Sequence, residues 1–103
     1  MRKFAIILPK QAAWRLKVGK PPLVSTWLAD AIVSAAGGCT RSDVFGIWRG
    51  PNGIVAEGGY RYDFAGPEDL TEFIRSTASF LVRETHERCV YVEHGDGAEI
   101  IGL

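Results

Sequence analysis

The chain has 103 residues, 47% hydrophobic and 23% charged, with as many acids as bases. That length fits one domain, and the composition supports a small packed core rather than disorder. Zero net charge excludes a bulk electrostatic pull of the whole molecule toward nucleic acid or a membrane surface.

Phe4-Ala5-Ile6-Ile7-Leu8 is a continuous apolar run ended by Pro9. It predicts a central strand buried on both faces. It is too short for a signal-peptide core of about 7–15 residues or a membrane span of about 20. The chain therefore reads as soluble and cytoplasmic. Trp14, Leu16 and Val18 then alternate with Arg15 and Lys17 over residues 12–18. This period of two predicts a short extra strand at an edge, or a loop.

Gly19-Lys20-Pro21-Pro22 breaks the chain. Val24, Leu28, Ala31, Ile32 and Ala35 recur at helical spacing, with Ser25 as the expected N-cap and Gly37 as the left-handed stop. Asp43–Trp48 reads as a strand, Gly50-Pro51-Asn52-Gly53 as a tight turn, and 54–64 as the returning strand. Tyr60, Tyr62 and Phe64 share one face of it, and Arg61 and Asp63 the other. Gly58-Gly59 within it predicts a bulge or a close backbone approach.

Gly66-Pro67-Glu68-Asp69 opens a second helix, with the acids at the positive end of its dipole. Leu70, Phe73, Ile74, Thr77, Ala78 and Leu81 form its buried stripe, and it ends near Thr85-His86. Cys89–Glu93 is a strand, Gly95-Asp96-Gly97 a turn, and 98–101 a last short strand. The order is β, (β), α, β, β, α, β, (β). It predicts an α+β fold with two helices on one face of an antiparallel sheet, the ferredoxin-like β-α-β-β-α-β sandwich.

Charge is unevenly placed. Residues 1–29 hold Arg2, Lys3, Lys10, Arg15, Lys17 and Lys20 and no acid; residues 30–103 hold all twelve acids and six bases. Either the basic segment lies beside an acidic body, or it is an anion-binding arm. Two cysteines, Cys39 and Cys89, are too few for a disulfide scaffold.

Gly37-Gly38-x-Thr40, then Gly46-x-Trp48, Gly53, Glu57, a helix carrying Phe73 and Phe80, and Val90-x-Val92 resemble a family of small bacterial and phage proteins of unassigned function. The resemblance spans roughly residues 24–94 and implies a ferredoxin-like architecture. The basic 10–20 insertion departs from the pattern, as does Arg88 where a glutamine is expected. A phage- or plasmid-type inhibitor of a bacterial system is the role this resemblance suggests.

Few residues carry chemistry. Cys39 follows a helix stop, where the dipole opposes a thiolate, and has no local histidine. His86-x-x-Cys89 with Cys39 and His94 lacks the paired spacing of a zinc site. The glycine-rich turns lead into no helix with a lysine, so they are not phosphate loops. No catalytic residue, metal or cofactor is therefore expected.

Two readings remain. One is a non-catalytic interaction module, a homodimer with a protein partner, contacted through Trp14, Arg15, Lys17, Tyr60 and Tyr62. Nucleic acid fits less well, since the net base content is low. The other is a small-molecule-binding protein or small enzyme of the dimeric ferredoxin-like type. Its candidate polar cluster is Arg49, Glu57, Arg61 and Asp63.

Overall fold

The computed structural model describes residues 1–102. One sheet of five strands has the order β4-β5-β1-β6-β7. Its members are β1 (Arg2–Pro9), β4 (Thr40–Gly50), β5 (Gly53–Gly66), β6 (Cys89–His94) and β7 (Gly97–Gly102), and every neighbouring pair is antiparallel. Helices α2 (Val24–Ala36) and α3 (Thr71–Thr85) pack against it.

β1 lies in the middle, as the apolar run predicts. Phe4, Ile6 and Leu8 face the helices and join Tyr62, Phe64, Val90 and Val92 in one core with Leu28, Ile32, Ile74, Ala78 and Leu81. Ala5 is also buried, although it points to the face without helices. A continuous apolar strand suits that position, because its neighbours cover both sides.

The helix boundaries differ from expectation. α2 starts at Val24, and Leu23 stands at its N-cap with no side-chain capping bond. Ser25 lies inside the first turn, where its carbonyl accepts a long hydrogen bond from the Tyr62 hydroxyl at 3.5 Å. Gly37 does end α2, at φ +90°, and its N–H caps the Val33 carbonyl. α3 begins at Thr71, so Pro67 and Glu68 precede it. The Asp69 carboxylate accepts the Thr71 N–H at 3.0 Å and fixes that start. Thr71, ahead of Arg2, also holds the Asp69 carboxyl below its ordinary range.

The 12–18 segment is not a strand of the main sheet. Lys10–Ala13 forms one short helical turn, α1, and Ala12 and Ala13 are fully buried. Leu16–Lys17 (β2) then pairs with Lys20–Leu23 (β3) as a separate two-stranded ribbon. The small Ala12 and Ala13 side chains let the turn pack into the core, and this overrides the alternating pattern around Trp14. The 98–101 strand does extend the sheet, as β7 beside β6.

The β4–β5 hairpin is longer than expected. Its register runs without interruption from Thr40↔Asp63 to Gly50↔Gly53. β1 ends at Pro9, opposite Gly59, so the outer half of the hairpin projects past the sheet. Gly58-Gly59 makes no bulge. Gly59 is a close approach instead: a Cβ there would lie 3.1 Å from the Leu8 carbonyl oxygen.

Candidate functional site

The register divides the predicted polar cluster between two faces. Arg61 and Asp63 point away from the helices, and Glu57 has the same parity. Arg49 pairs with Ile54 on the opposite face, so it joins none of them. Of the four, Arg61 and Asp63 are in contact, Glu57 shares their face without bonding to either, and Arg49 lies on the other face because alternate residues of a strand point to opposite sides.

Two residues of β6 complete that group. The Arg61 fork donates to both Glu93 carboxylate oxygens, at 3.0 and 2.8 Å, and its Nε donates to Asp63 at 3.1 Å. The Tyr91 hydroxyl donates to Glu93 at 2.8 Å. The bridge from β5 to β6 spans β1, where Ile7 pairs with Arg61 and Tyr91, and Ala5 with Asp63 and Glu93. Arg61, then Tyr91, holds the Glu93 carboxyl below its ordinary range. Donation to Glu93 raises the Tyr91 phenol. With the fork engaged on both sides, this network is a strut across the sheet. Glu57 stands apart from it; burial first, and Glu87 second, push its carboxyl upward.

The expected partner-contact residues separate in the same way. Tyr60 and Tyr62 face the helices and are 8% and 1% exposed. They are core residues rather than contacts on an open sheet face, since Leu8 and Ile6 lie directly across from them. Trp14 is exposed and sets its edge against the Tyr60 ring at 6.1 Å. Arg15 pairs with Glu87 at 3.7 Å. Lys17 lies over the stacked rings of Trp27 and Phe80, at 5.1 and 5.3 Å. Arg2 pairs with Asp69 and Lys10 with Asp43. Much of the basic segment thus lies against acids and rings of the body. Trp48 is half exposed on the projecting hairpin, past the end of β1.

A different arrangement emerges along β4. Its helix-facing residues are Arg41, Asp43, Phe45, Ile47 and Arg49. The helices sit over β5, β1, β6 and β7, which leaves these β4 residues exposed. Arg41 spreads its guanidinium over the Tyr60 ring at 4.6 Å, and Lys10 approaches the same ring at 5.4 Å. Lys10 and Asp43 are 3.5 Å apart and both largely exposed. Among the described residues no carboxylate pairs with Arg41, and no aromatic ring stacks on Phe45.

A groove of about 300 Å³ opens beside Arg41, lined by Ser25, Thr26, Ala29, Cys39 and Tyr62. Burial raises the Tyr62 phenol, against an opposing pull from the Arg41 charge. A second cleft, about 470 Å³, lies around the far side of Cys39, between Lys3, Thr40 and Asp63. Cys39 and Cys89 are free thiols. Among the described residues, no group of three or more His, Cys, Asp or Glu side chains could hold a metal ion. No helix among them is long and apolar enough to cross a membrane.

Sequence reasoning missed Glu93, Tyr91 and the ordered row on β4. The row was legible as alternation, Arg41-x-Asp43-x-Phe45-x-Ile47-x-Arg49. Starting the strand at Asp43 left Arg41 off it.

No known protein family matches the chain, and no curated protein sequence is similar to it. Solved structures are similar. A phage SAM lyase in complex with S-methyl-5'-thioadenosine matches with a TM-score of 0.64 at 13% identity, covering 99% of this chain and 89% of that one. A phage SAM lyase in the apo state matches with a TM-score of 0.58 at 14% identity and the same coverage. At such identity the likeness shows a shared fold. Both of these neighbours are enzymes, and the expectation of a non-catalytic interaction module is withdrawn on that finding.

Proposed function

We propose that this chain is an enzyme that binds S-adenosylmethionine and cleaves it, releasing S-methyl-5'-thioadenosine. The observation that carries this reading is the fold shared with phage SAM lyase over 99% of the chain. The small-enzyme alternative of the sequence reading is thereby preferred.

The chemistry suits a small site. A sulfonium sulfur is already a good leaving group. As the bond from sulfur to the γ-carbon of the amino-acid chain breaks, its electron pair goes to sulfur and leaves a neutral thioether, while an oxygen of the substrate's own carboxylate bonds to that carbon and closes a lactone as the second product. The protein's task is then to orient the substrate and stabilise its charge. Arg41, which no carboxylate pairs with among the described residues, lines the groove, and Asp43 and the exposed Phe45 ring follow it along the same face of β4. Rings favour both a planar base and a sulfonium cation.

The test is direct. Purified protein is incubated with S-adenosylmethionine, and S-methyl-5'-thioadenosine is followed by chromatography beside heat-denatured protein. Release well above the denatured control is expected. Release equal to that control, together with no calorimetric binding, would refute the reading.

Three finer inferences accompany it. A ferredoxin-like topology is supported by the position of β1 between β5 and β6, with a helix in each crossover. A homodimer through the helix-free sheet face is supported by the exposed Trp48, Val55 and Ile100 on that face. Light scattering at the monomer mass would count against it. The free thiols of Cys39 and Cys89 support a reducing, cytoplasmic setting.

A further inference from the structure

The helix-facing row of β4 presents a cation, an anion and an aromatic ring in that order: Arg41, Asp43, Phe45. Alternate residues on a strand stand about 6.5–7 Å apart. S-adenosylmethionine carries complementary groups in order along its length: a carboxylate with its neighbouring ammonium, a sulfonium cation, and an aromatic base. Its charged groups are only a few bonds apart, so one extended ligand can span the row.

We propose that this row fixes the polarity of the bound substrate. The amino-acid carboxylate lies in the fork of Arg41, the sulfonium beside Asp43, and the adenine over Phe45. This inference rests on the enzyme reading above and specifies how the same site holds its substrate.

Each end of the row is prepared for its part. The Arg41 guanidinium carbon sits over the Tyr60 ring at 4.6 Å, a cation–π contact that anchors the head group of the side chain. No carboxylate among the described residues occupies it. A planar fork of this kind matches a carboxylate by two parallel hydrogen bonds. Asp43 is engaged by Lys10 at 3.5 Å, and both side chains are largely exposed. A pair of that sort is weak, so a ligand cation can take the place of the ammonium. Phe45 is 69% exposed, a large ring with an uncovered face. Ile47, next in the row and equally exposed, extends the apolar shelf beyond it.

The rival ionic group does not offer this. Arg61 is already occupied by Asp63 and Glu93, and a ligand carboxylate would have to displace both.

Three ligands separate the three contacts in calorimetric titration. S-adenosylmethionine has all three groups, S-adenosylhomocysteine keeps its ammonium but lacks the sulfonium charge, and S-methyl-5'-thioadenosine lacks both the sulfonium charge and the amino-acid part. Arg41→Gln should weaken S-adenosylmethionine and S-adenosylhomocysteine by about tenfold or more and leave S-methyl-5'-thioadenosine unchanged. Asp43→Asn should weaken S-adenosylmethionine alone. Phe45→Ala should weaken all three. The three residues are exposed, so unchanged melting temperatures are expected for each variant. Wild-type protein that binds the ligands while Arg41→Gln affects all three alike would overturn the assignment and leave the enzyme reading standing. Wild-type protein that binds none of them would refute both.

Discussion

Replacing Arg61 with methionine tests the strut across the helix-free face. Methionine keeps most of the aliphatic stem over Ala5 and Ile7 but removes the fork. The variant loses a two-pronged contact to Glu93 and one to Asp63, and it leaves those two carboxylates without their cation. The side chains of Arg61, Glu93 and Asp63 are 27%, 33% and 46% exposed, so solvent screens part of the loss. A charge-assisted bond that is partly exposed lies between the buried and surface extremes, and the total comes to about 2 kcal/mol at neutral pH. For a domain of this size that lowers the melting temperature by about 8–16 °C.

The pH dependence has a definite sign. Arg61 holds the Glu93 carboxyl below its ordinary value of 4.5 in the folded protein. Such a group stabilises the fold above that ordinary value, and the contribution is lost as pH falls through the lowered folded value. The difference between wild type and Arg61→Met should therefore be full at pH 7 and shrink in acid. Thermal melts by circular dichroism from pH 7 to pH 3 measure it. A shift under about 2 °C at pH 7, or a difference that persists undiminished at pH 3, would refute the strut.

Other substitutions probe the core and the remaining carboxylate. Leu28 is fully buried in the helix–sheet core, and Leu28→Ala should cost about 2–5 kcal/mol in urea unfolding. Thr85 is fully buried, and its hydroxyl donates to the Leu81 carbonyl at 2.6 Å. Thr85→Val keeps the shape and loses that bond, so about 1 kcal/mol is expected, with Thr85→Ala costing more because it also leaves a void. Glu57 differs in sign from Glu93. Burial and Glu87 raise its carboxyl above 4.5, so its charged form opposes folding at neutral pH. Glu57→Gln should raise the melting temperature at pH 7, and the gain should vanish in acid once the carboxyl of the wild type is protonated. A variant less stable than wild type at pH 7 would contradict that account.

The sequence by itself determined the elements whose signals are local. The apolar run Phe4–Leu8 marked a strand covered on both faces. Gly37 marked the end of α2, because only glycine takes φ +90° without strain. The stripe from Leu70 to Leu81 marked the buried side of α3, and alternation put Tyr60, Tyr62 and Phe64 on one side of β5. These features depend on neighbours a few residues apart, and the chain carries that information directly.

Tertiary structure decided which face each strand turned to the helices, and with it the site. Alternation states that Tyr62 and Arg61 are opposed, yet not which of them is covered. Packing of α2 and α3 over Ile6 and Tyr62 made the tyrosines core and left Arg61 to bridge to Glu93, a residue 32 positions away. The same packing stopped short of β4, so Arg41, Asp43 and Phe45 stand uncovered, with Arg41 lining a groove against α2. The reason is coverage: two helices of 13 and 15 residues reach across the sheet from β5 to the β7 edge and stop short of the β4 edge. Only the strand order, set by long-range pairing, says which residues that edge presents to solvent.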